Sequence, residues 1–250
     1  MTPRFIIIGV QRGGTTSLYN YLSGHPAIRP ASVKEVHFFD LHFENGPDWY
    51  RAQFPEDAPG NRSAIAGEAS PYYIYHPLAP RRIAALLPEV KLLVLLRNPI
   101  DRAYSQYNHV LRRGLELLSF EQALAGETER LAGETERIIN QPGYQSVNHQ
   151  RLSYRSRGLY ADQLEAWFQL FPREQFWIES SELLFQNPGL VLSRALSFLG
   201  LPEWAPAEYL VFNEGRYPPM EAATRAQLAD YFAPHNRQLY QLLGRDFEWA

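Results

Sequence analysis

The chain has 250 residues, of which 45% are hydrophobic and 20% charged, and its formal net charge is -3. These values are ordinary for a globular enzyme, and because no linker-like stretch divides the chain, we expect a single domain over residues 1–250. The absence of cysteine excludes disulfides, thiol catalysis and cysteine-bound metal. The weak negative charge excludes a general attraction to nucleic acid.

No apolar run in the sequence approaches the length of a membrane span, and the N-terminus enters a predicted strand without a charged leader or a cleavage site. We therefore expect a soluble, cytoplasmic protein with no membrane span. The lack of cysteine is consistent with such a reducing compartment.

The first predicted element is a buried parallel strand, Phe5–Val10, followed by a glycine-rich turn and a helix over Thr15–Ser23. A continuous apolar run is typical of a strand covered on both faces. Gly13 and Gly14 allow close backbone approach and positive φ angles, and the unpaired N–H groups of the helix would face an anion. The order of these elements predicts a phosphate-binding loop rather than glycines that merely end a core strand.

This loop matches only part of the nucleotide-binding P-loop motif. The spacing from Gly9 to Gly14 fits, but Thr15 and Thr16 stand where the motif has lysine followed by Ser or Thr. Arg12 supplies a positive charge from within the turn instead. We expect the loop to bind an anionic group without the usual arrangement for ATP.

Apolar runs alternate with helical patterns along the chain, which predicts the α/β class with a P-loop-type parallel sheet flanked by helices on both faces. The other predicted strands are Ala64–Glu68, Leu92–Leu96 and Gln175–Glu179. The other predicted helices are Leu78–Leu87, Ile100–Arg113, Phe120–Ile139, Tyr160–Phe171, Pro188–Leu199 and Ala222–Leu243. Two stretches rich in proline, glycine and aromatic residues are predicted to be long ordered loops that build a site, Pro26–Pro59 and Gly200–Pro219.

The segment Lys91–Ser105 predicts a second anion site. Its strand ends at Arg97, Asn98 suits a helix N-cap, and Pro99 suits the first helical position. Because open α/β sheets hold ligands at the carboxyl ends of their strands, Arg97 is a candidate for contact with a second anionic group. ATP-hydrolysing proteins commonly have a magnesium-binding Asp at such a strand end, and we expect no metal here. The alternative interpretation is a surface arginine paired with Asp101.

The helix predicted over Phe120–Ile139 contains a duplication, Ala125–Arg130 and again Ala132–Arg137, with a period of seven residues. Because this period is close to two helical turns, the apolar residues around each copy stay on one face. We expect the repeat to lengthen an amphipathic helix whose other face is solvated. A role in shaping an acceptor cleft is the alternative.

Four segments taken together resemble the sulfotransferases that use 3′-phosphoadenosine-5′-phosphosulfate (PAPS). They are GVQRGGTTSL at Gly9–Leu18, KEVHFFD at Lys34–Asp40, LLRNPIDRAYS at Leu95–Ser105 and LGRDFEW at Leu243–Trp249. The similarity covers nearly the whole chain and points to the heparan sulfate sulfotransferase branch and its bacterial relatives. It implies that the first loop binds the 5′-phosphosulfate and the strand–helix segment binds the 3′-phosphate, which explains two anion sites without a metal.

The resemblance also implies the donor-binding residues. Those expected around the 5′-phosphosulfate are Arg12, Gly13, Gly14, Thr15, Thr16 and Ser17. Those expected around the 3′-phosphate are Arg97 and Ser105. The late nucleotide-binding loop of the family corresponds to Asn213–Pro219, where Gly215 and Arg216 are candidates. The product would be 3′-phosphoadenosine-5′-phosphate (PAP).

The resemblance makes Glu35 the expected general base for the acceptor hydroxyl. Aromatic neighbours could desolvate this carboxylate and raise its pKa. Alternation along an extended segment would place His37 on the same side, so His37 is a second candidate, either as the base itself or as the group that orients Glu35. Arg12 would stabilise charge on the leaving phosphate, although a guanidinium is a poor proton donor.

The acceptor is predicted only as a class. Ala69 stands where eukaryotic relatives have a lysine, and the net charge offers no broad basic groove, so a neutral or small acceptor is favoured over an acidic polysaccharide. We expect a hydroxyl, or in second place an amine, carried by a small molecule, a saccharide or a carrier-bound acyl chain. Two other functions stay open, a P-loop ATP-dependent kinase that would need magnesium and a nucleotide-binding module without catalysis.

Overall fold

In the part of the chain that the structure describes, five strands form one sheet in which every neighbouring pair is parallel. The structure is a computed structural model that describes residues 1–56, 64–210, 212, 215 and 217–249. The strands are β1 (Pro3–Gly9), β2 (Ile28–Pro30), β3 (Ile65–Ala69), β4 (Lys91–Leu96) and β5 (Phe176–Ser180). Their order across the sheet is β2-β3-β1-β4-β5. The predicted α/β class, with a parallel sheet flanked by helices, is confirmed.

At least one helix lies between each strand and the next along the chain. They are α1 (Thr15–Ser23), α2 (Gly46–Arg51), α3 (Ala79–Leu86), α4 (Pro99–Leu111), α5 (Phe120–Leu131), α6 (Glu134–Asn140), α7 (Val147–Arg151), α8 (Tyr160–Phe168), α9 (Ser181–Gln186), α10 (Pro188–Leu199) and α11 (Ala222–Leu243). Short 3-10 helices occupy Phe43–Asn45, Ser156–Gly158 and Arg173–Gln175. No helix among the described residues combines the length and the apolar character needed to cross a membrane.

The chain folds as two compact units. The first unit comprises residues 1–96 and 168–213 and contains the whole sheet, and the second comprises residues 97–167 and 214–250 and is helical. The prediction of one domain over residues 1–250 is not tested by this division and stays a prediction.

The strand order places a ligand-binding edge in the first unit. The chain leaves β1 toward β3 and β2 on one side of the sheet and later adds β4 and β5 on the other side. Ligands of open α/β sheets bind beyond the carboxyl ends of the strands, at the point where the strand order reverses. The loop after β1 lies at this point, and the segments that follow β2 and β3 leave the sheet at the same edge because all three strands are parallel.

The core of the first unit explains why β1 and β4 are almost continuously apolar. Phe5 and Ile7 of β1 are fully buried and pack, with neighbouring β4 side chains, against Leu18 and Leu22 of α1 and Leu196 of α10. Burying one such side chain contributes about 1.5–3 kcal/mol. This packing fixes β1 and α1 on either side of the glycine turn that joins them.

The second unit has its own apolar core. Helices α4, α5 and α11 contribute its side chains, among them Ile100, Phe120 and Phe232, which are nearly inaccessible to solvent. Tyr154 lies fully buried in the same cluster. Helix α11 runs from Ala222 to Leu243 as predicted, although Pro234 lies inside it.

Two predicted elements differ from the structure. The single helix expected over Phe120–Ile139 is divided into α5 and α6, because Gly133 adopts a left-handed φ of 74°. The stretch Pro26–Pro59 is not all loop, since its described part contains strand β2, a 3-10 turn and helix α2. Strand β2 has only three residues, which is too short for a periodic pattern, and it exists because it pairs with β3.

Candidate active site

The turn after β1 is held in one conformation by its glycines. Gly14 has a φ of 84°, and a side chain on Gly13 would come within 2.8 Å of the carbonyl oxygen of Leu95. The amide of Gly13 donates to the carbonyl of Val10 at 3.0 Å, and the hydroxyl of Ser181 donates to the carbonyl of Gly13 at 2.7 Å. The turn is therefore anchored to the end of β1 and to the first residue of α9, as a preformed binding loop requires.

Helix α1 begins without a side-chain cap. Its N-cap residue is Gly14, and its first turn contains no acidic side chain. Five other helices, by contrast, have their first amides capped by the side chains of Asn98, Ser119, Ser146, Ser180 and Asn187. The N-terminus of a helix carries a partial positive charge and unpaired N–H groups. The loop thus presents donors that an anion can satisfy.

The predicted loop residues have different surroundings. Thr15 and Ser17 are buried, and the hydroxyl of Ser17 accepts a hydrogen bond from the amide of Phe212 at 3.3 Å. Arg12 is half-buried with a positive φ of 68°. The hydroxyl of Thr16 accepts a hydrogen bond from Lys34 Nζ at 3.2 Å. This last contact joins the start of α1 to the segment that follows β2.

Lys34 lies between the loop and the predicted base. Its ammonium group contacts Thr16 and is also 3.5 Å from Glu35 Oε1. No role is predicted for Lys34 from the sequence. The sequence carries no signal for this role, because β2, which brings Lys34 to the carboxyl edge of the sheet, is too short to show a periodic pattern.

His37 lies between two carboxylates. Its Nε2 is 2.9 Å from Glu35 Oε2, and its Nδ1 is 2.8 Å from Asp40 Oδ2. The side chain of Asp40 is fully buried, whereas that of Glu35 keeps 28% of its surface exposed. Glu35 and His37 therefore meet as predicted, although through a left-handed φ of 54° at His37 rather than through an extended segment. Asp40 is not among the site residues that the sequence predicts.

The two carboxylates keep His37 protonated. Burial is the largest influence and lowers the pKa of His37, but the hydrogen bonds and charges of Asp40 and Glu35 outweigh it and raise the pKa to about 10. A protonated imidazole donates from both ring nitrogens and cannot accept a proton. Of the two roles predicted for His37, its contacts therefore favour orienting Glu35 over acting as the base.

The expected rise in the pKa of Glu35 is wrong. Burial does raise it and is the largest single influence, but the hydrogen bond from His37 and the charges of Lys34 and His37 together lower the pKa below its usual value. The aromatic neighbours alone would raise the pKa of Glu35. The two cations that hold the carboxylate ionised decide the direction instead.

The second unit contains the junction predicted to bind another anion. Arg97 follows β4, and the side chain of Asn98 caps α4 by accepting from the amide of Ile100 at 3.0 Å. The hydroxyl of Tyr160 donates to the carbonyl of Arg97 at 2.8 Å. Asp101, the alternative partner for Arg97, forms an ion pair with Arg225.

Helix α4 contains Ser105 and also contacts the described part of the loop over residues 213–219. Ser105 lies in α4 and is 1% exposed. The preceding residue, Tyr104, packs edge-on against Tyr217 with ring centroids 5.3 Å apart and donates a hydrogen bond to the carbonyl of Pro218 at 3.0 Å. Gly215 lies beside the Tyr217 ring, and Arg216 lies outside the described residues. The donor-binding roles of these residues stay predictions.

Comparison with known proteins identifies the family. The family described as "Sulfotransferase domain" matches residues 2–233 of the chain. The chain therefore belongs to the sulfotransferase domain family. Among the described residues, no group of three or more His, Asp or Glu side chains is placed to hold a metal ion.

The chain is similar over nearly its whole length to particular sulfotransferases. The chain is 33% identical over 99% of its length to human heparan sulfate glucosamine 3-O-sulfotransferase 6, covering 74% of that protein, and 32% identical over 99% of its length to mouse heparan sulfate glucosamine 3-O-sulfotransferase 3B1, covering 65% of it. A crystal structure of a sulfotransferase from Alicyclobacillus acidocaldarius is 32% identical and aligns over 99% of this chain and 98% of that one, with a TM-score of 0.80.

Proposed function

We propose that this chain transfers a sulfuryl group from PAPS to a hydroxyl, or in second place an amine, with Glu35 as the general base. The observation that carries the proposal is the chain of contacts from Thr16 at the start of α1, through Lys34, to the partly exposed carboxylate of Glu35. These contacts connect a loop that can bind an anion with a carboxylate that can accept a proton from an acceptor bound nearby. Membership of the sulfotransferase domain family supports the same reaction.

The glycine turn fits the sulfated end of the donor. PAPS would supply an activated sulfuryl group whose leaving group is the 5′-phosphate of PAP. The backbone amide of Gly14 and those of the uncapped first turn of α1 can donate to such an anion. Arg12, Thr15, Thr16 and Ser17 complete the set proposed for this end. For the 3′-phosphate the proposal keeps Arg97, Ser105, Gly215 and Arg216.

Glu35 would take the proton of the acceptor. As the acceptor oxygen bonds to sulfur and the bond from sulfur to the phosphate oxygen breaks, the acceptor O–H becomes acidic and its proton passes to a Glu35 oxygen. A carboxylate with a lowered pKa is ionised at neutral pH and is therefore available. His37, fixed by Asp40, holds the second oxygen of Glu35 and restricts its rotation.

Lys34 and Arg12 would stabilise the charge that accumulates on the leaving phosphate. Lys34 Nζ already contacts a hydroxyl of the first turn of α1, which places an ammonium at the same end of that helix. An ammonium can donate a proton where a guanidinium does so poorly. Lys34 would therefore be able to protonate the leaving phosphate oxygen, which Arg12 does poorly.

We infer that the acceptor is a hydroxylated compound without strong negative charge, as a small molecule, a saccharide or a carrier-bound acyl chain. The human and mouse relatives are named for the glucosamine of heparan sulfate, and heparan sulfate is an acidic polysaccharide. Ala69 replaces the lysine expected from those relatives, and the net charge of the chain is -3. Both features favour an acceptor of lower charge.

Two measurements test the donor and the base. Calorimetric titration should show binding of PAP that needs no magnesium and is stronger than binding of ATP, whereas a kinase would favour ATP with magnesium. Transfer from ³⁵S-labelled PAPS would then be assayed with heparan sulfate, 4-nitrophenol and a hydroxyacyl thioester as acceptors.

The variant Glu35→Gln should lower the transfer rate at least about a hundredfold, the size expected for loss of a general base. Its affinity for PAP should change little, because the amide keeps the size of the side chain. Glu56→Gln is the matched control, since Glu56 is an exposed glutamate of the same unit. Transfer that persists in Glu35→Gln would refute the role of the base.

A further inference from the structure

A carboxylate is buried where β3 approaches the candidate site. Glu68 is fully inaccessible to solvent. Its Oε1 accepts hydrogen bonds from the hydroxyls of Tyr50 at 2.8 Å and Tyr73 at 3.2 Å, and its Oε2 accepts from the hydroxyl of Ser70 at 2.7 Å. Burying a carboxylate costs stability, and an apolar residue of similar volume would often be at least as stable. A purely structural role does not explain this choice of residue.

Two of these hydroxyls hold the segment that contains His37. The amide of His37 donates to Ser70 Oγ at 3.1 Å, and the hydroxyl oxygen of Tyr73 accepts from the amides of Phe38 at 2.8 Å and Phe39 at 3.3 Å. A backbone N–H group can only donate, so each hydroxyl oxygen accepts from the N–H groups and must donate its own proton to another acceptor. Glu68 receives those protons and thereby fixes the orientation of both hydroxyls.

The segment held in this way has an unusual backbone. His37 has a φ of 54°, and a left-handed conformation is unfavourable for a residue other than glycine. The same conformation places the ring of His37 within 2.9 Å of both Glu35 and Asp40. Hydrogen bonds to three consecutive amides compensate for the unfavourable conformation and keep the ring there.

We propose that Glu68 is a positioning residue that acts through Ser70 and Tyr73 to hold His37, and through His37 the carboxylate of Glu35. It touches neither donor nor acceptor. Its effect on turnover rests on the proposed function, whereas its effect on the placement of His37 does not.

The test removes one hydroxyl at a time. Ser70→Ala and Tyr73→Phe break the link between Glu68 and the amides of residues 37–39. Tyr19→Phe is the matched control, because Tyr19 is also buried in the first unit, donates to the carbonyl of Gly67 at 3.1 Å and accepts from the amide of Ala31 at 3.0 Å. All three variants lose one buried hydroxyl and should lower the unfolding temperature.

The readouts are the titration of the His37 ring by NMR, assigned with a His37→Asn variant, and calorimetric affinity for PAP. In Ser70→Ala and Tyr73→Phe the midpoint of the His37 titration should fall at least about one pH unit, because the ring loosens from its two carboxylates. Transfer of ³⁵S to the best acceptor should fall at least about tenfold, with PAP affinity kept. Tyr19→Phe should leave all of these unchanged.

An unchanged His37 titration in both variants would overturn the proposal, as would an equal loss of transfer in Tyr19→Phe. Should one of the two variants fail to fold, the other carries the test alone. If the titration falls but the unaltered protein transfers no sulfate to any acceptor, positioning by Glu68 stands and the proposed function fails.

Discussion

The protonated state of His37 depends chiefly on Asp40. The side chain of Asp40 is fully buried and lies 2.8 Å from the ring nitrogen of His37, so water screens their attraction little. The ring in turn holds Glu35, which keeps 28% of its side-chain surface exposed. The buried carboxylate of Asp40 therefore contributes, through His37, to the ionised state of the partly exposed Glu35.

The variant Asp40→Asn tests this dependence. Loss of the adjacent charge should lower the pKa of His37 from about 10 by about one to three units, and the pKa of Glu35 should rise because its protonated neighbour is held less firmly. NMR titration of His37 measures the first effect directly. Asp48→Asn is the control, because Asp48 pairs with Arg51 on the surface of the same unit. A His37 midpoint that stays at about 10 would contradict this account.

The sequence predicts much, but not all, of this residue cluster. It predicts the meeting of Glu35 and His37, because both belong to one short segment after a strand. It does not predict Asp40, whose contact depends on the turn in which the amides of Leu41 and His42 both donate to the carbonyl of His37. The predicted direction of the shift in the pKa of Glu35 is also wrong, because the shift depends on neighbours that only the folded segment brings close.

At the scale of elements, the duplicated segment shows how one sequence can occupy two conformations. Gly126 lies inside α5, while its counterpart in the second copy, Gly133, has a φ of 74° and starts a new helix. The first-copy Glu127 accepts hydrogen bonds from the amides of Arg155 and Ser156. The seven-residue period alone predicts a continuous helix, because the apolar residues keep the same spacing in the sequence on both sides of the break between α5 and α6.

The two glycines give a matched pair of variants. Gly126→Ala should stabilise the protein by about 0.5–1 kcal/mol, because glycine is unfavourable inside a helix and, apart from the chain neighbours and the helix's own backbone, no atom lies closer than 4.0 Å to the added carbon. Gly133→Ala should destabilise it by about 1–2 kcal/mol through its left-handed backbone. Urea unfolding measures both. Equal shifts of the same sign would contradict the break between α5 and α6.

The junction of β4 and α4 yields a second prediction at this scale. Arg97→Ala should weaken binding of PAP about tenfold to a hundredfold, the loss expected for one charged hydrogen-bonding partner. Binding of adenosine-5′-phosphate should change little, because it lacks the 3′-phosphate. Calorimetry compares the two nucleotides, with Arg113→Ala as an exposed control. Equal losses for both nucleotides would show that Arg97 does not contact the 3′-phosphate.

At the scale of the whole molecule, the pKa values predict how stability varies with pH. The pKa of His37 is raised from 6.5 to about 10, so its contribution is complete below about pH 6.5 and is lost as the pH rises through 10. Burial raises the pKa of Glu68 to about 7, so the folded protein prefers this group protonated and loses stability between about pH 4.5 and 7. Stability should therefore decline from mildly acidic to alkaline pH.

Urea unfolding between pH 5 and pH 10 measures this decline. Glu68→Gln should flatten the acidic part of the curve, and His37→Asn should flatten the alkaline part. Curves parallel to that of the unaltered protein would show that neither group titrates as described.

The fold as a whole is the most predictable feature, because it depends on patterns that many residues share. The continuous apolar runs of β1 and β4 and the helical periods of α1, α10 and α11 determine the parallel sheet and its covering helices. Strand β2 and the contacts of Lys34 and Glu68 follow from pairing between distant segments, for which the sequence carries no local pattern. This explains why the sequence predicts the fold better than the details of the site.

The ammonium of Lys34 contacts both the hydroxyl of Thr16, in the loop proposed to bind the nucleotide, and the carboxylate of Glu35, proposed to act on the acceptor. It cannot neutralise a dianionic nucleotide and Glu35 to the same extent at once. We expect arrival of the first substrate to draw this charge away and leave Glu35 more basic for the second. Compulsory-order kinetics, with the nucleotide entering first and leaving last, would be the steady-state consequence of one shared cation.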